Sequence, residues 1–255
     1  MTLWMSDLPF ETDAGFGSRA RIGLVVLATD YTIEREYQAV VNLLDGVAFY
    51  AARIPMDPVV TPQSLTAMGV EIPRTAGLIL PDDQVDVIAY GCSSATALLG
   101  EDKVGELVQG VKPGTVVTTP ITAAKAALGA LGVQRLGVLT PYTADVNHGI
   151  KAAFEAAGFE IPVFGSFDEP RDKVVASISE ASISQQARAL TGAAEIDGLF
   201  ISCTSLRGLG VSPALENELG IPVTASNHAM IWHSLRLAGI DDRLDGLGQL
   251  YTLAI

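Results

Sequence analysis

The chain has 255 residues, of which 49% are hydrophobic and 18% are charged. This length and composition are typical of a soluble α/β protein with a large core, built as one unit or as two lobes. A formal net charge of −13 argues against nucleic acid and anionic membranes as partners. No apolar stretch approaches the roughly 18 residues of a membrane span, and residues 1–18 lack the basic start of a signal peptide. We therefore expect a cytoplasmic protein whose two cysteines are free thiols.

Strand-like and helix-like patterns alternate along the chain. Short apolar runs that end in small or polar residues indicate buried parallel strands, and apolar residues at helical spacing lie between them. The alternation predicts parallel sheets covered by helices on both faces. The predicted strands are 21–28, 46–54, 85–90, 113–120, 135–143, 161–164, 196–201 and 221–227. The predicted helices are 34–44, 61–76, 100–110, 123–131, 145–158, 177–194 and 229–239.

An internal repeat organises the chain. Residues 85–96 combine an apolar strand, Cys92 and a hydroxyl-rich turn, and residues 196–205 repeat this pattern around Cys203. The run that opens the first strand recurs at Arg135 with nearly the same spacing. The repeat predicts an α/β fold of two related halves, which would bring the two cysteine positions face to face. We predict an N-terminal tail at 1–19, a first lobe formed by 20–130 and joined by 230–255, and a second lobe at 131–229.

The two cysteines are the main candidates for chemistry. Cys92 and Cys203 each lie between the end of a strand and the start of a helix, where backbone N–H groups and the helix dipole favour an anion. We expect both effects to lower the thiol pKa, so that the thiolate can act as a base or a nucleophile. The alternative is that each cysteine is only a small buried apolar residue. Neighbouring hydroxyl groups could donate to a carboxylate or an enolate, and they belong to Ser93, Ser94, Thr204 and Ser205.

Asp30 and Tyr142 follow the first strand of each half, at equivalent positions. The carboxyl ends of parallel strands are where such sheets carry functional side chains. We interpret Tyr142 as a hydrogen-bond donor to a substrate, and Asp30 as the partner of a cation or of a donor group. In the alternative interpretation Asp30 only caps a helix and Tyr142 only packs.

Several common kinds of site are missing from the sequence. The three histidines lie on helical segments without ligand spacing, so we predict no metal site. Neither a phosphate-binding loop nor a dinucleotide-binding glycine motif is present. The nucleophile turn of serine hydrolases is missing as well. These absences leave cysteine chemistry as the main hypothesis.

The repeated cysteine motifs resemble those of the aspartate/glutamate racemase superfamily. Within it the chain is most similar to the branch of maleate cis–trans isomerases, arylmalonate decarboxylases and the ectoine-utilisation protein A group. The resemblance implies two pseudo-symmetric α/β lobes, each a parallel sheet flanked by helices, with the active site between them. It also implies no metal, no organic cofactor, and a homodimer or higher homo-oligomer. It covers about residues 20–250 and rests on segments 23–34, 90–94, 141–142, 202–205 and 222–239.

The resemblance also implies roles for individual residues. Cys92 and Cys203 would be the two reactive thiols, and Tyr142 would be the substrate-binding tyrosine. Arylmalonate decarboxylases keep only the second cysteine, so the presence of Cys92 counts against decarboxylation. Maleate isomerases carry asparagines where this chain has Asp30 and Asp172. Because ionised aspartates repel a dicarboxylate and attract an ammonium group, these two acids favour an amino acid or its derivative as the substrate.

The sequence leads to the hypothesis of a cofactor-independent, cysteine-dependent isomerase of a small carboxylate or amino acid. In a racemase, one thiolate would remove the α-proton and the opposite thiol would return a proton to the other face. In a maleate isomerase, Cys92 would add to the double bond, the C2–C3 bond would rotate, and elimination would give the trans acid. The alternatives are an arylmalonate-type decarboxylase and a non-catalytic protein that binds small carboxylates.

Overall fold

The computed structural model describes residues 2–57 and 59–254. Within these residues the chain forms eight β-strands, eleven α-helices and one 3₁₀ helix (Gln249–Thr252), and their alternation confirms the predicted α/β class. The strands are β1 (Ala20–Leu27), β2 (Val47–Ile54), β3 (Val87–Tyr90), β4 (Val116–Thr118), β5 (Arg135–Thr140), β6 (Glu160–Ser166), β7 (Gly198–Ile201) and β8 (Val223–Ala225). The helices are α1 (Ile33–Val41), α2 (Pro62–Gly69), α3 (Ile72–Gly77), α4 (Ser93–Leu99), α5 (Glu101–Gln109), α6 (Pro120–Ala130), α7 (Ala144–Ala156), α8 (Asp172–Val175), α9 (Glu180–Ala193), α10 (Val211–Leu219) and α11 (Ser226–Leu237).

The strands form two parallel four-stranded sheets with the same connectivity. The first sheet has the order β2-β1-β3-β4 and the second has the order β6-β5-β7-β8. In each sheet the strand that leads to a cysteine lies next to the strand that opens that half of the chain. The repeat found in the sequence is therefore a repeat of topology, and the two cysteine strands are equivalent in it.

The central strands are covered on both faces, as their sequences require. Every residue of β3 and β7 is buried, and in β1 only Arg21 is partly exposed. Such continuous apolar strands are stable only where helices cover both sides of the sheet. One large apolar cluster includes residues from both sheets, such as Ile88 and Leu199, and it contains both cysteines. The core is thus continuous from one half of the chain to the other.

Helix α11 connects the second sheet back to the first. It begins at Ser226, directly after β8, and it packs against α1 and α6 of the first half. Its Trp232 is fully buried, and its Ser234 hydroxyl lies 3.0 Å from the hydroxyl of Tyr37 on α1. Helix α11 therefore follows the last strand of the second sheet and packs against helices of the first half. The lobe boundaries drawn from the sequence stay a prediction.

The structure corrects three details of the predicted elements. The predicted helix 61–76 is two helices, because α2 ends at Gly69 and α3 begins at Ile72. Pro73 lies in the first turn of α3, where a helix does not need the N–H group that proline lacks. The predicted strand 221–227 is shorter, since the chain becomes helical at Ser226. Helices α8 and α10 were not predicted, because the single turn of α8 carries no apolar period and Pro213 interrupts the pattern of α10.

Candidate active site

Cys92 lies in the first half, where β3 ends and α4 begins. It occupies the position just before α4, and its sulfur accepts a hydrogen bond from the Ala95 N–H at 3.4 Å. The hydroxyl group of Ser94 lies 3.5 Å from the same sulfur. Contacts of this kind favour negative charge on the sulfur atom. The local chain therefore supports a thiolate at Cys92.

Cys203 follows β7 in a strained backbone conformation. Its φ angle is +135°, a region that residues with a β-carbon rarely adopt and that costs of order 1–3 kcal/mol. Its N–H donates to the hydroxyl of Ser226 at 2.9 Å, and its carbonyl oxygen accepts from the Leu206 N–H at 3.3 Å. The backbone of Cys203 is therefore held by hydrogen bonds at both its N–H and its carbonyl group.

The two cysteine loops are joined by hydrogen bonds, one direct and one through Ser226 of α11. The Ser226 hydroxyl that accepts from Cys203 also lies 3.0 Å from the hydroxyl of Ser93, the residue after Cys92. The Thr204 hydroxyl donates to the carbonyl oxygen of Gly91 at 3.3 Å. Each loop thus contacts the other within one residue of its cysteine.

Tyr142 lies near both thiols. Burial raises the pKa of the Tyr142 phenol, and the negative charges of the Cys203 and Cys92 thiolates raise it further. The Tyr142 phenol in turn stabilises the Cys203 thiolate and so opposes the effect of burial on the pKa of Cys203. The backbone carbonyl of Tyr142 accepts from the Asn147 amide at 2.6 Å, which fixes this turn. The two thiols therefore share one phenol as a neighbour.

The two carboxyl oxygens of Asp30 differ: one is hydrogen-bonded to the backbone and the other has no partner among the described residues. Its Oδ1 accepts the N–H groups of Thr32 at 2.7 Å and Ile33 at 2.9 Å, so it supports the start of α1 as in the helix-cap interpretation. Its Oδ2 is buried and has no partner among the described residues. Burial raises the pKa of Asp30 more than its backbone hydrogen bonds lower it. Asp30 therefore keeps its proton more readily than an exposed aspartate, and its free oxygen can then donate.

Asp172 links the two halves beside the thiols. It lies in α8 and accepts hydrogen bonds from the hydroxyl of Thr29, at the end of β1, and from the hydroxyl of Ser205, in the loop after β7. The Ser205 bond is 2.6 Å long. Both carboxylate oxygens are therefore occupied by hydroxyl groups of the protein.

Burial raises the pKa of both thiols. The pKa of Cys92 is raised to about 11, and hydrogen bonds from Ser94 and Ala95 oppose the effect of burial. The pKa of Cys203 is raised further, by burial first and by the charge of Asp172 second. The prediction that a helix start would lower both values is wrong for this closed state, because the loss of water outweighs the local donors. Cys92 is the thiol that ionises first.

The site is closed to solvent. Cys92 is 2% exposed and Cys203 is 6% exposed. Next to Asp172, the loops after β2 and β6 meet: the Val60 N–H donates to the Pro170 carbonyl oxygen at 3.2 Å, and a β-bridge forms beside it. Because water is excluded, each charge in this site acts more strongly on its neighbours.

The nine predicted site residues lie in this one region, but their hydroxyl groups are used unequally. Those of Ser93, Thr204 and Ser205 already bond to Ser226, Gly91 and Asp172 respectively. The Ser94 hydroxyl instead contacts a reactive sulfur. The role of all four hydroxyl groups as donors to a substrate stays a prediction.

The described part of the chain shows neither a metal-type cluster nor a membrane-spanning helix. Residues 2–57 and 59–254 contain no group of three or more His, Cys, Asp or Glu side chains arranged to hold a metal ion. Over the same residues, no helix combines the length and the apolar character that crossing a membrane requires.

The comparison with family models identifies the chain. Residues 23–251 match the model described as arylmalonate decarboxylase. The chain belongs to the arylmalonate decarboxylase family. Among known proteins, a maleate isomerase from Nocardia farcinica is 30% identical to this chain over 240 residues, which is 90% of this chain and 94% of that protein. An arylmalonate decarboxylase from Bordetella bronchiseptica is 36% identical over 128 residues, which is 49% of this chain and 53% of that protein.

Solved structures agree with this assignment. The maleate cis–trans isomerase of Nocardia farcinica, in a cysteine-to-serine variant with a covalently bound succinylcysteine intermediate, superposes with a TM-score of 0.81. It is 27% identical, and the match covers 91% of this chain and 98% of that structure. The arylmalonate decarboxylase family match and the two-lobed fold together confirm the resemblance drawn from the sequence.

Three residues in or beside the site were not among those predicted from the sequence: Thr29, Glu36 and Tyr90. Thr29, which holds Asp172, directly precedes Asp30 and could have been found from its place at a strand end. Glu36 interrupts the apolar face of α1, which was a visible signal. Tyr90 gave no signal, because a buried tyrosine in a strand is ordinary; its hydroxyl is buried without a partner among the described residues.

Proposed function

We propose that this protein is a cofactor-independent cis–trans isomerase that converts maleate, or a closely similar cis-dicarboxylate, into its trans isomer. The observation that carries the proposal is a pair of buried thiols at equivalent strand ends, whose loops are joined by hydrogen bonds beside the phenol of Tyr142. The Nocardia farcinica relative is a maleate isomerase, and its structure with a succinylcysteine intermediate indicates covalent addition in that protein. Covalent addition by one thiol leaves the other free to move a proton.

The first half of the proposed reaction is an addition. The Cys92 thiolate forms a bond to one alkene carbon, and the π electrons move to the neighbouring carbon, where the adjacent carboxylate stabilises the charge. The Cys203 thiol then donates its proton to that carbon. The product is a succinyl group bound through sulfur to Cys92, with Cys203 left as a thiolate.

The second half reverses these steps after a rotation. The former double bond is now single, so the two carboxylates can turn from the cis to the trans arrangement. The Cys203 thiolate removes the proton from the carbon that received it, the carbon–sulfur bond breaks, and Cys92 leaves as a thiolate. The trans acid is released and both thiols return to their starting states, so no external oxidant, reductant or proton source is consumed.

The environments of the two thiols support this division of roles. Cys92 has the lower pKa and receives hydrogen bonds that favour its thiolate, which suits a nucleophile and a leaving group. Cys203 holds its proton more tightly, which suits an acid. Tyr142 stabilises the Cys203 thiolate that forms once the proton has moved.

The two aspartates are compatible with a dicarboxylate in this arrangement. Asp30 has a raised pKa, so in its neutral form the free Oδ2 can donate a hydrogen bond as the amide of an asparagine does. Both oxygens of Asp172 already accept hydrogen bonds, from Thr29 and Ser205, so neither is free to bind an ammonium group. These contacts favour a carboxylate over an amino acid, against the preference drawn from the residue types alone.

Asp30→Asn is expected to retain turnover of maleate within about threefold, whereas Asp30→Ala is expected to lose roughly 10- to 100-fold, the range for a lost hydrogen bond to a charged group. Asparagine keeps the acceptor for Thr32 and Ile33 and supplies a donor in place of Oδ2. Steady-state kinetics of both variants on maleate make the measurement. A strong loss in Asp30→Asn would mean that an ionised Asp30 is required.

The reaction itself can be followed by proton NMR of the purified protein with maleate in heavy water. Conversion to fumarate is expected in the wild type, and its absence would contradict the proposal. Parallel samples with aspartate, glutamate and phenylmalonate separate the alternatives. Exchange of an α-proton for deuterium would indicate a racemase, release of carbon dioxide would indicate a decarboxylase, and binding of maleate without turnover would indicate a binding protein.

The proposal includes two further expectations from the sequence. A cytoplasmic location suits an enzyme with two free cysteines, because a reducing compartment keeps both thiols available. A homodimer or higher homo-oligomer is the other expectation, which sedimentation velocity of the purified protein tests directly.

A further inference from the structure

Glu36 is a buried carboxyl group that the proposed reaction does not use. It lies in the first half of α1 and is 8% exposed. Its neighbours on the buried face of the helix are apolar or aromatic: Ile33, Tyr37 and Val40. A carboxyl group at such a position is unfavourable unless hydrogen bonds compensate for the lost water.

The hydrogen bonds of Glu36 all lead to the loop that carries Cys203. Its Oε1 accepts the Leu209 N–H at 3.0 Å, and its Oε2 accepts the side-chain amide of Asn227 at 2.7 Å. The same Asn227 amide donates to the carbonyl oxygen of Thr204 at 2.8 Å. Glu36 and Asn227 therefore hold this loop at two places, one directly after Cys203 and one at its far end.

The loop after β7 requires support because the backbone of Cys203 is strained. The backbone of Cys203 is strained at φ +135°, and a strained conformation persists only where its surroundings fix it. The Thr32 hydroxyl, on the approach to α1, also donates to the loop at the carbonyl oxygen of Ser205, at 2.8 Å. These contacts from the first half of the chain and from α11 add to the loop's own hydrogen bond between Leu206 and Cys203.

We infer that Glu36, acting with Asn227, is a positioning residue that fixes the direction of the Cys203 thiol. The geometry of this inference is independent of the substrate, and its consequence for turnover rests on the proposed function. Cys92 is held by different contacts, the Ala95 N–H and the Ser94 hydroxyl of its own loop. Loss of Glu36 should therefore disturb one thiol and spare the other.

Two variants test the inference, and a third serves as the control. Glu36→Gln keeps the size of the side chain but replaces one acceptor by a donor, so either Leu209 or Asn227 faces a donor instead of an acceptor. Asn227→Ser removes the bond to Thr204 from the other side of the pair. The control is Glu34→Gln, on the same helix, where the carboxylate forms a half-exposed ion pair with Arg53.

The first experiment needs no substrate. Each protein is treated with iodoacetamide below its melting temperature, and the alkylation rate of each cysteine is followed by peptide mass spectrometry. In both test variants we expect Cys203 to react at least about tenfold faster than in the wild type, with Cys92 within twofold and the control unchanged. Equal changes at both cysteines, or no change at Cys203, would overturn the inference. In the wild type, slow hydrogen exchange at the Leu209 N–H is also expected, and exchange at the rate of an open loop would contradict the inference.

The second experiment adds maleate. We expect kcat of Glu36→Gln to fall about 10- to 100-fold, the usual cost of a misplaced reacting group, while the adduct on Cys92 still forms and accumulates. If turnover and adduct formation fall together, Glu36 has only a general structural role. If the wild type does not convert maleate, the proposed function fails, and the alkylation rates still decide whether Glu36 positions Cys203.

Discussion

Cys203→Ser is expected to stop the reaction with the substrate covalently bound to Cys92. A serine hydroxyl is a far weaker acid than a thiol, so it replaces Cys203 poorly in both proton transfers, and kcat should fall by roughly 10²- to 10⁴-fold. Addition by Cys92 does not require the Cys203 sulfur, and a proton from water can complete the adduct slowly. Mass spectrometry of the intact protein after incubation with maleate should find a gain equal to one maleic acid, assigned to Cys92 by peptide mapping.

The matched control is Cys92→Ser, which should form no adduct and show no turnover, because the nucleophile is gone. Both variants replace one sulfur by oxygen in a buried position, so their effects on folding should be similar. An adduct found on Cys203 would exchange the roles that we assign to the two thiols. Continued production of fumarate by Cys92→Ser would exclude covalent addition at this residue.

The value of kcat/KM for maleate is expected to increase about tenfold for each pH unit between about pH 7 and pH 10. The reactive form of Cys92 is the thiolate, and burial raises its pKa to about 11, so the ionised fraction grows with pH throughout this range. The pKa of Cys203 is raised further, so its proton remains in place while Cys92 ionises. Over three pH units the rate should change by about a thousandfold.

Ser94→Ala is the matched variant for this profile. The Ser94 hydroxyl lies 3.5 Å from the Cys92 sulfur and lowers its pKa, so its removal should decrease kcat/KM at each pH without changing the slope. Initial rates across overlapping buffers at constant ionic strength make the measurement. A profile that is flat or falls between pH 7 and pH 10 would mean that Cys92 is already ionised in the reactive complex.

The location of the site could be predicted because it follows from the fold. The repeated Cys92 and Cys203 motifs indicated two equivalent halves, and parallel sheets carry functional side chains at the carboxyl ends of their strands. Asp30 and Tyr142 occupy such ends, and the charges or hydrogen bonds of both act on the thiols. The alternation of strands and helices was sufficient for the fold class because every central strand is apolar on both faces.

The electrostatics of the site could not be predicted in the same way. A helix start suggested low thiol pKa values, but the closed structure removes water from both sulfurs, and desolvation dominates. The contact between Glu36 and Asn227 joins residues that are 191 positions apart, so no local pattern connects them. The short helix that presents Asp172 likewise depends on contacts from the other half of the chain.

Helix α11 also has a consequence for biosynthesis. Its first residues, Ser226 and Asn227, form hydrogen bonds that hold Cys203 and its loop. The ribosome adds these two residues after strands β1 to β8 and after both cysteines. A growing chain carries both cysteines only once residue 203 has been added, and it then lacks the contacts that direct the second one until residues 226 and 227 follow. The contacts that direct the second thiol can therefore form only after β8 and the start of α11 have been made.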